Sequence, residues 1–583
     1  MTEMRNEGIS YAVLVVLLLS CSAPLLAQPN NSPNAGNKDT RARESLAPTR
    51  IVWVAGEDAI ENLDGLLVPG NGQADLVGKN LTIIRGGEQN PVFIVDFGKE
   101  IHGDIQLVTG MFKGNEPIRV RITLGESVSE AMSSINDQDS TATNDHAMRE
   151  FDLALPWLGR IEVGNSGFRF AKIELLDKDR TLKLKEFSAI SIYRDIPYLG
   201  SFRSNDERLN EIWQTGAYTV HLNMQDYLWD GIKRDQLVWV GDMHPEVMTI
   251  KSVFGNNEVV PKSLDFIQGI TELPEWMNGL SSYSIWWVLI QHEWYKGYGD
   301  LTYLQKHQAY LFDLLDLLAT KIDESGKETL DGRFLDWPTK GNEEAVHAGL
   351  QGLMAMAFQA GIELTEILDE PHRRPTYEQA LARLKKHVPD PNGNKSAAAL
   401  LSLSGLMDAR EVNEKWLSKD PLKGISTFYG YYVLQARAKA GDYRGAMDVI
   451  RHYWGAMLDL GATTFWEDFN IDWAEYSGRI DEIPSSDKKD IHADFGDHVY
   501  VGYRHSLCHG WASGPTAWLT EHVLGISVVD NGSAVKITPN LGDLTWVEGS
   551  FPTKYGVLHV RHEKNKDGSI SSEIQKPDGL IVQ

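Results

Sequence analysis

Between Asp230 and Glu246 the chain reads Asp-Gly-Ile-Lys-Arg-Asp-Gln-Leu-Val-Trp-Val-Gly-Asp-Met-His-Pro-Glu. Four carboxylates (Asp230, Asp235, Asp242, Glu246), two cations (Lys233, Arg234) and Trp239 fall within these seventeen residues. Acid/base catalysis needs carboxyl groups whose surroundings push their pKa values apart, and a neighbouring Arg or Lys keeps one of them ionised. The same residue types also make a salt-bridged loop at a helix start. A second cluster is Gly461-Ala-Thr-Thr-Phe-Trp466-Glu467-Asp468-Phe, where Glu467 is either a base at a barrel mouth or a helix-terminal carboxylate. A third is Ser506-Leu-Cys-His509-Gly-Trp511-Ala-Ser-Gly-Pro. A lone histidine there reads as structural unless its neighbours give it a task.

Other hydrolytic and transfer chemistries lack their signatures. The sequence holds no G-x-S-x-G elbow, no phosphate-binding loop and no H-E-x-x-H zinc helix. Gly70-Asn-Gly72 is a lone turn tripeptide. His505 and His509 have i, i+4 spacing, but no glutamate of a zincin lies between them. No metal ligand set is assigned, and a structural calcium has no supporting loop motif. With 56 basic against 81 acidic residues the formal charge is −25, which disfavours nucleic-acid binding. Two cysteines, Cys21 and Cys508, exclude a disulfide scaffold and a thiolate-rich zinc site. The 17 Trp and 20 Tyr supply flat faces with polar edges, which suit sugar rings as well as cores.

The elements that must carry these clusters fall in three blocks. Residues 51–203 alternate in strand fashion, as in Val92-Phe-Ile-Val-Asp-Phe and Ile118-Arg-Val-Arg-Ile-Thr-Leu, and predict an N-terminal β-sandwich. The polar stretch 133–146 reads as a long surface loop. Residues 204–525 are mainly helical: Leu304, Leu311, Leu314, Leu315, Leu318 and Ile322 recur at helical spacing, as do Leu350, Leu353, Met354, Ala357 and Phe358. Gly441-Asp442 echoes Gly299-Asp300, as if a helix-turn-helix unit recurred. The length permits twelve helices of about 12 residues. Residues 526–583 return to strands.

The amino terminus reads as an export signal. Residues 11–19 are nine apolar residues in a row, too short to span a bilayer, where about 20 are needed, but suited to a leader. Cleavage after Ala27 gives a soluble exported protein. Leu18-Leu-Ser-Cys21 instead resembles a lipobox, which places a lipid on Cys21 and a membrane attachment there. Residues 28–50 read as a flexible tether.

Together the three clusters resemble the landmarks of bacterial α-L-rhamnosidases of glycoside hydrolase family 78. The resemblance implies a mainly α, multidomain protein, with a six-hairpin (α/α)6 barrel flanked by the two β-sandwich domains. Anchored on Trp239-Val-Gly-Asp242, it puts Asp235 at the family's general-acid position, with Asp230 and Asp242 as sugar-binding carboxylates beside Arg234 and Trp239. Thr463-Thr-Phe-Trp466-Glu467 matches the motif carrying the general base. Asp336-Trp337 resembles a pair lining the sugar pocket, Trp466 belongs with the binding residues, and His509 falls at a substrate-binding histidine. Asp96-Phe-Gly-Lys-Glu-Ile-His-Gly103 and Thr545-Trp-Val-Glu-Gly-Ser-Phe-Pro-Thr-Lys-Tyr-Gly556 resemble its flanking domains.

Implied is inverting, exo-acting removal of terminal α-L-rhamnose from plant or pectic glycans without a cofactor. The paired carboxyl groups of such enzymes stand about 6.5–9.5 Å apart. Three departures stand out. Asp235 replaces the commoner glutamate, Gln236 replaces an arginine, and the chain is compact. A six-hairpin glycosidase for another terminal sugar and a lapsed, carbohydrate-binding barrel remain the competing readings. The expected location is the periplasm or the outer membrane.

Overall fold

The computed structural model describes residues 39–114, 116–135, 147–498 and 500–583. The expected leader, Cys21 and most of the expected tether lie outside the described residues, as do positions 136–146 of the expected surface loop.

The first domain holds nine strands: β1 (Ala42–Leu46), β2 (Arg50–Ala55), β3 (Ile60–Glu61), β4 (Thr82–Arg85), β5 (Val92–Thr109), β6 (Ile118–Gly125), β7 (Arg149–Leu155), β8 (Gly159–Leu175) and β9 (Thr181–Tyr193). They hydrogen-bond in the order β3-β4-β9-β5-β8-β6-β7, with β1 on β9 and β2 on β5. Alternation drives this: Phe93, Val95, Ile105, Leu107, Val120, Ile122 and Phe168 share one buried cluster. The tether assignment fails for its last residues. β1 pairs along its whole length with β9, from Ala42 opposite Tyr193 to Leu46 opposite Ala189. Edge pairing satisfies the backbone of a polar segment that has no apolar pattern of its own.

The Asp96–Gly103 motif turns out to be a kink. β5 breaks register between Asp96 and Ile101, and Gly98 takes φ +88°. At Gly103 a Cβ would stand 1.9 Å from the Ile190 carbonyl oxygen, so no larger residue fits. Asp96 is buried and receives Arg169 Nε and Nη2 at 2.8 and 2.9 Å, while Arg169 Nη1 reaches the Gly461 carbonyl at 3.0 Å. This pair therefore links the kink to the loop leading to Glu467. Removing one partner of a buried ion pair costs about 3–5 kcal/mol. Arg169→Met is accordingly expected to lower the urea midpoint strongly. Melting curves that overlay the wild type would show that the pair contributes no net stability.

The helical domain begins at Glu207, the N-terminal domain having only the short helix Val128–Met132 and brief 3-10 turns among the described residues. Six of them, Met243–Val253, Ser281–Tyr298, Glu343–Ile367, Lys395–Leu403, Gly430–Lys439 and Gly514–Trp518, pack neighbour to neighbour and close a ring. Each is preceded by a helix or helical stretch outside the ring, which gives six hairpins among the described residues. Leu350, Leu353, Met354, Ala357 and Phe358 are fully buried along one ring helix. The echoed turns are equivalent: Gly299 and Gly441 take positive φ at helix ends, and Asp300 and Asp442 cap the next helices by accepting from Tyr303 N and Gly445 N.

The last strands form two small sheets, one of them ordered Ser201–Ser204, Trp546–Thr553, Gly556–Lys564, Ile570–Gln575. Its first strand precedes the barrel, so residues 201–203 belong with the C-terminal sheet and not with the N-terminal domain. Residues 41–583 form one compact unit. Among the described residues no helix is long and apolar enough to cross a membrane.

Candidate active site

Each predicted site residue lies in a segment that leads into the N-terminal end of a ring helix. Asp230–Asp242 precedes Met243–Val253, Asp336-Trp337 precedes Glu343–Ile367, and Glu467 and His509 lie in the long segment before Gly514–Trp518. The hairpin repeat thus gathers residues distant in sequence at one mouth of the barrel.

The Asp230 carboxylate closes its own loop: Oδ1 accepts from Leu237 N at 2.9 Å, and Asp230 N donates to Leu237 O at 3.1 Å. At the tip, Asp235 and Gln236 both take left-handed backbone, with φ 57° and 53°. Gln236, at the position where an arginine was expected, donates from Nε2 to Ile232 O at 2.9 Å and to Asn165 O at 3.2 Å. It braces the tip against β8.

Arg234 is the centre of the site. Buried at 3% exposure, it donates from Nη1 to Asp235 Oδ2 at 2.7 Å, from Nη2 to Glu467 Oε2 in a short contact, and from Nε to Arg504 O at 2.6 Å. One planar fork thus joins the candidate acid and the candidate base. The Asp235 side chain keeps 19% of its surface open, against 3% for Glu467.

Glu467 is fixed on every side. Its N–H donates to Ser506 O at 2.9 Å, and its carbonyl accepts from Thr427 Oγ1 at 2.6 Å and Trp511 Nε1 at 3.0 Å. Oε2 also accepts from Ser506 N at 3.1 Å, and Oε1 lies 3.8 Å from His509 Nδ1. Burial alone would raise its pKa, but Arg234, His509 and His505 outweigh burial and hold the carboxyl below the usual glutamate range.

The remaining carboxyl groups go the other way. Asp242 accepts from Tyr283 Oη at 2.7 Å and pairs with His509 Nε2 at 3.2 Å; burial raises its pKa against those two partners. Asp230 is pushed well up by burial. Asp336 accepts from Ser426 Oγ at 2.6 Å and from Trp337 N at 2.8 Å, and burial moves it up to about 7. Beside Glu467, Asp468 is pushed up to about 7 by burial and then by Asp336. His509 is raised: burial opposes its charge, but Glu467 and Asp242 outweigh it. Glu467 is thus held below its usual range while Asp230, Asp242, Asp336 and Asp468 are shifted up, so the surroundings push these carboxyl groups apart.

Two expectations are corrected. Trp466 offers no open ring: it is 1% exposed and meets Phe469 and His505 edge to face, so it underlies the site. Trp337, by contrast, is half-buried and stacked on His498 at 6.2 Å, and Trp239 is also only partly covered. As the missing zincin glutamate implied, His505 and His509 share no helix face, the backbone between them being non-helical; His505 Nε2 accepts from Asp468 N at 3.0 Å, while burial lowers its pKa to about 3. Lys233 does not face Asp235. Its ammonium reaches Glu126 at 3.0 Å and Glu130 at 3.1 Å. Among the described residues Glu126, Glu130 and His492 group like metal ligands, but the positive charge on both carboxylates is that of Lys233.

Tyr283, Ser426 and Glu126 had no signal in the sequence, since each meets its partner only through the fold. Glu246, the last carboxylate of the first cluster, is fully buried with neither oxygen hydrogen-bonded, and burial pushes its pKa far up.

Comparison with known proteins gives a consistent result. Residues 197–389 match the family model of the bacterial α-L-rhamnosidase six-hairpin glycosidase domain. A curated α-L-rhamnosidase of Formosa agariphila is 21% identical over 461 residues, covering 72% of this chain and 47% of its own length. The crystal structure of a family 78 rhamnosidase of Bacillus sp. GL1 superposes with a TM-score of 0.71 at 20% identity, over 89% of this chain and 55% of that one. A rhamnosidase from Klebsiella oxytoca with rhamnose bound gives 0.65 at 21% identity, over 82% of this chain and 96% of its own. The chain thus spans about half the length of the Formosa and Bacillus relatives.

Proposed function

We propose that this chain, whose residues 197–389 match the bacterial α-L-rhamnosidase six-hairpin glycosidase domain, is an exo-acting glycoside hydrolase that releases terminal α-L-rhamnose from plant or pectic glycans with inversion. The observation that carries the reading is the Arg234 fork between Asp235 and Glu467. It brings the two carboxyl groups to one place and leaves them in different surroundings.

In this mechanism Glu467 takes a proton from a water, and that water attacks the anomeric carbon. Asp235 gives its proton to the glycosidic oxygen as the bond to the aglycone breaks. Asp235 is the more open of the two, so it regains a proton from solvent after each turnover. Asp230, Asp242, Asp336 and His509 supply the polar ring that receives sugar hydroxyls, and Trp337 supplies a ring face. Each of these roles falls to a side chain of the chain itself, so the acid/base steps need no added group. The leader-like run at residues 11–19 supports export, to the periplasm or, if Cys21 is lipidated, to the outer membrane.

The test is hydrolysis of p-nitrophenyl α-L-rhamnoside beside a panel of other nitrophenyl glycosides, followed by proton NMR of the first product. Release of β-L-rhamnose before mutarotation is the expected result. Release of the α anomer would sink the inverting mechanism. Turnover of a different glycoside alone would reassign the sugar, and binding without turnover on any of them would mark a lapsed catalyst.

A further inference from the structure

We propose that Glu126, contributed by the N-terminal β domain, is a positioning residue for Glu467: it grips the two loops that orient the base, and does so by reach more than by charge. The proposal rests on the hydrolase reading above for its kinetic form, though its structural form does not.

Glu126 immediately follows β6, just before the short helix Val128–Met132, and is fully buried. Its Oε2 accepts from Leu507 N at 2.7 Å and meets Lys233 Nζ at 3.0 Å. Its Oε1 accepts from Ser506 Oγ at 3.4 Å. One carboxylate therefore holds a residue from each loop at once. Both loops act on the base. Ser506 exchanges both backbone hydrogen-bonding groups with Glu467, giving N–H to Oε2 and accepting the Glu467 N–H. Lys233 immediately precedes Arg234, whose guanidinium lies on Glu467 Oε2. The Lys233 ammonium is pinned further by the carbonyls of Tyr503 at 2.7 Å and His505 at 2.9 Å. The β domain therefore influences Glu467 through these two loops.

Neighbouring groups do not duplicate the grip. Glu130 also meets Lys233, at 3.1 Å, but its other oxygen accepts from Glu126 N, away from residues 506–507. Charge balance for Lys233 is thus shared between two glutamates, whereas the bond to Leu507 N belongs to Glu126. Burial raises the Glu126 pKa, with Lys233 opposing, which fits a role that does not demand a full negative charge.

Two substitutions separate reach from charge. Glu126→Asp keeps the charge but is one methylene short of spanning Lys233 and Leu507. Glu126→Gln keeps the reach: its amide oxygen serves Leu507 and Lys233 while its NH2 faces Ser506 Oγ. A misplacement of about 1 Å at a reacting group costs up to about 10²-fold in rate. Glu126→Asp is expected to lower kcat by about 10–10²-fold with little change in KM. Glu126→Gln should retain kcat within about threefold, and amide exchange at Ser506–Cys508 should quicken in Glu126→Asp alone.

The reverse order, with Gln worse than Asp, would make Glu126 a counter-ion for Lys233 and overturn the proposal. So would equal losses in both that track a common fall in melting temperature. Should Glu126→Asp fail to accumulate as folded protein, a loss above about tenfold in Glu126→Gln overturns it by itself. If the wild type turns over no glycoside of the panel, the hydrolase reading fails and the exchange at Ser506–Cys508 still decides the positioning role.

Discussion

Glu467→Gln and Asp235→Asn are each expected to lower the hydrolysis of an α-L-rhamnoside by about 10²–10⁴-fold, the usual contribution of a positioned acid or base. Both replacements are isosteric, so folding should survive. In Glu467→Gln the amide oxygen still accepts from Ser506 N. In Asp235→Asn the left-handed tip is retained, since asparagine tolerates that backbone as well as aspartate does. The two variants should nevertheless differ in their response to the leaving group. A nitrophenolate departs without a proton, so Asp235→Asn should lose far less on the nitrophenyl rhamnoside than on a rhamnoside of another sugar. Glu467→Gln removes the group that activates water and should lose as much on both. Equal leaving-group dependence in the two variants would exchange or cancel the assigned roles. Full activity in either would remove that residue from the site.

How far this site can be read without coordinates follows from which contacts are local. Asp235, Arg234 and Asp242 sit in one run, and the spacing that placed them in one cluster survives as a loop closed on itself by Asp230 and Leu237. Glu467, Asp336 and His509 carry motif neighbours, and the hairpin repeat returns them to the same mouth. The helical periodicity of Leu350–Phe358 and the Gly-Asp turns were equally plain, because both follow from the local backbone. What spacing misrepresents is anything decided by packing. Lys233 lies two residues from Asp235 but turns to Glu126 and Glu130 in another domain. Trp466, next to Glu467, is buried, since spacing does not say which way a ring is packed. Residues 42–46 look like tether and are a strand, since an edge strand needs a partner's backbone more than a pattern of its own.

Arg234→Met is the substitution expected to move the most observables at once. In water a carboxylate needs no partner, but Glu467 is buried, and burial favours its neutral form. Arg234, first among the cations, reverses that preference, followed by His509 and His505. Taking the guanidinium away therefore raises the pKa of Glu467. A base must be ionised to accept a proton from water, so the acid limb of kcat/KM should move to higher pH. Activity near neutrality should fall by about 10²–10³-fold, the scale seen when one preorganised charged or polar group is lost from a site. Part of that loss should return as the pH is raised.

Stability should respond with the matching sign. The folded pKa of Glu467 is depressed, so its ionisation stabilises the wild type above the unfolded pKa of about 4.3, and that stabilisation is lost as the pH falls through the folded value. In Arg234→Met the same carboxyl becomes a buried charge without its main partner, at a cost of about 3–5 kcal/mol. The variant should then melt lower at neutral pH and lose less than the wild type on acidification. The pH–rate profile and melting curves across the acid range measure both effects in one preparation. An unmoved acid limb alongside lowered stability would mean that Arg234 braces the loops while some other group holds the proton that governs the rate.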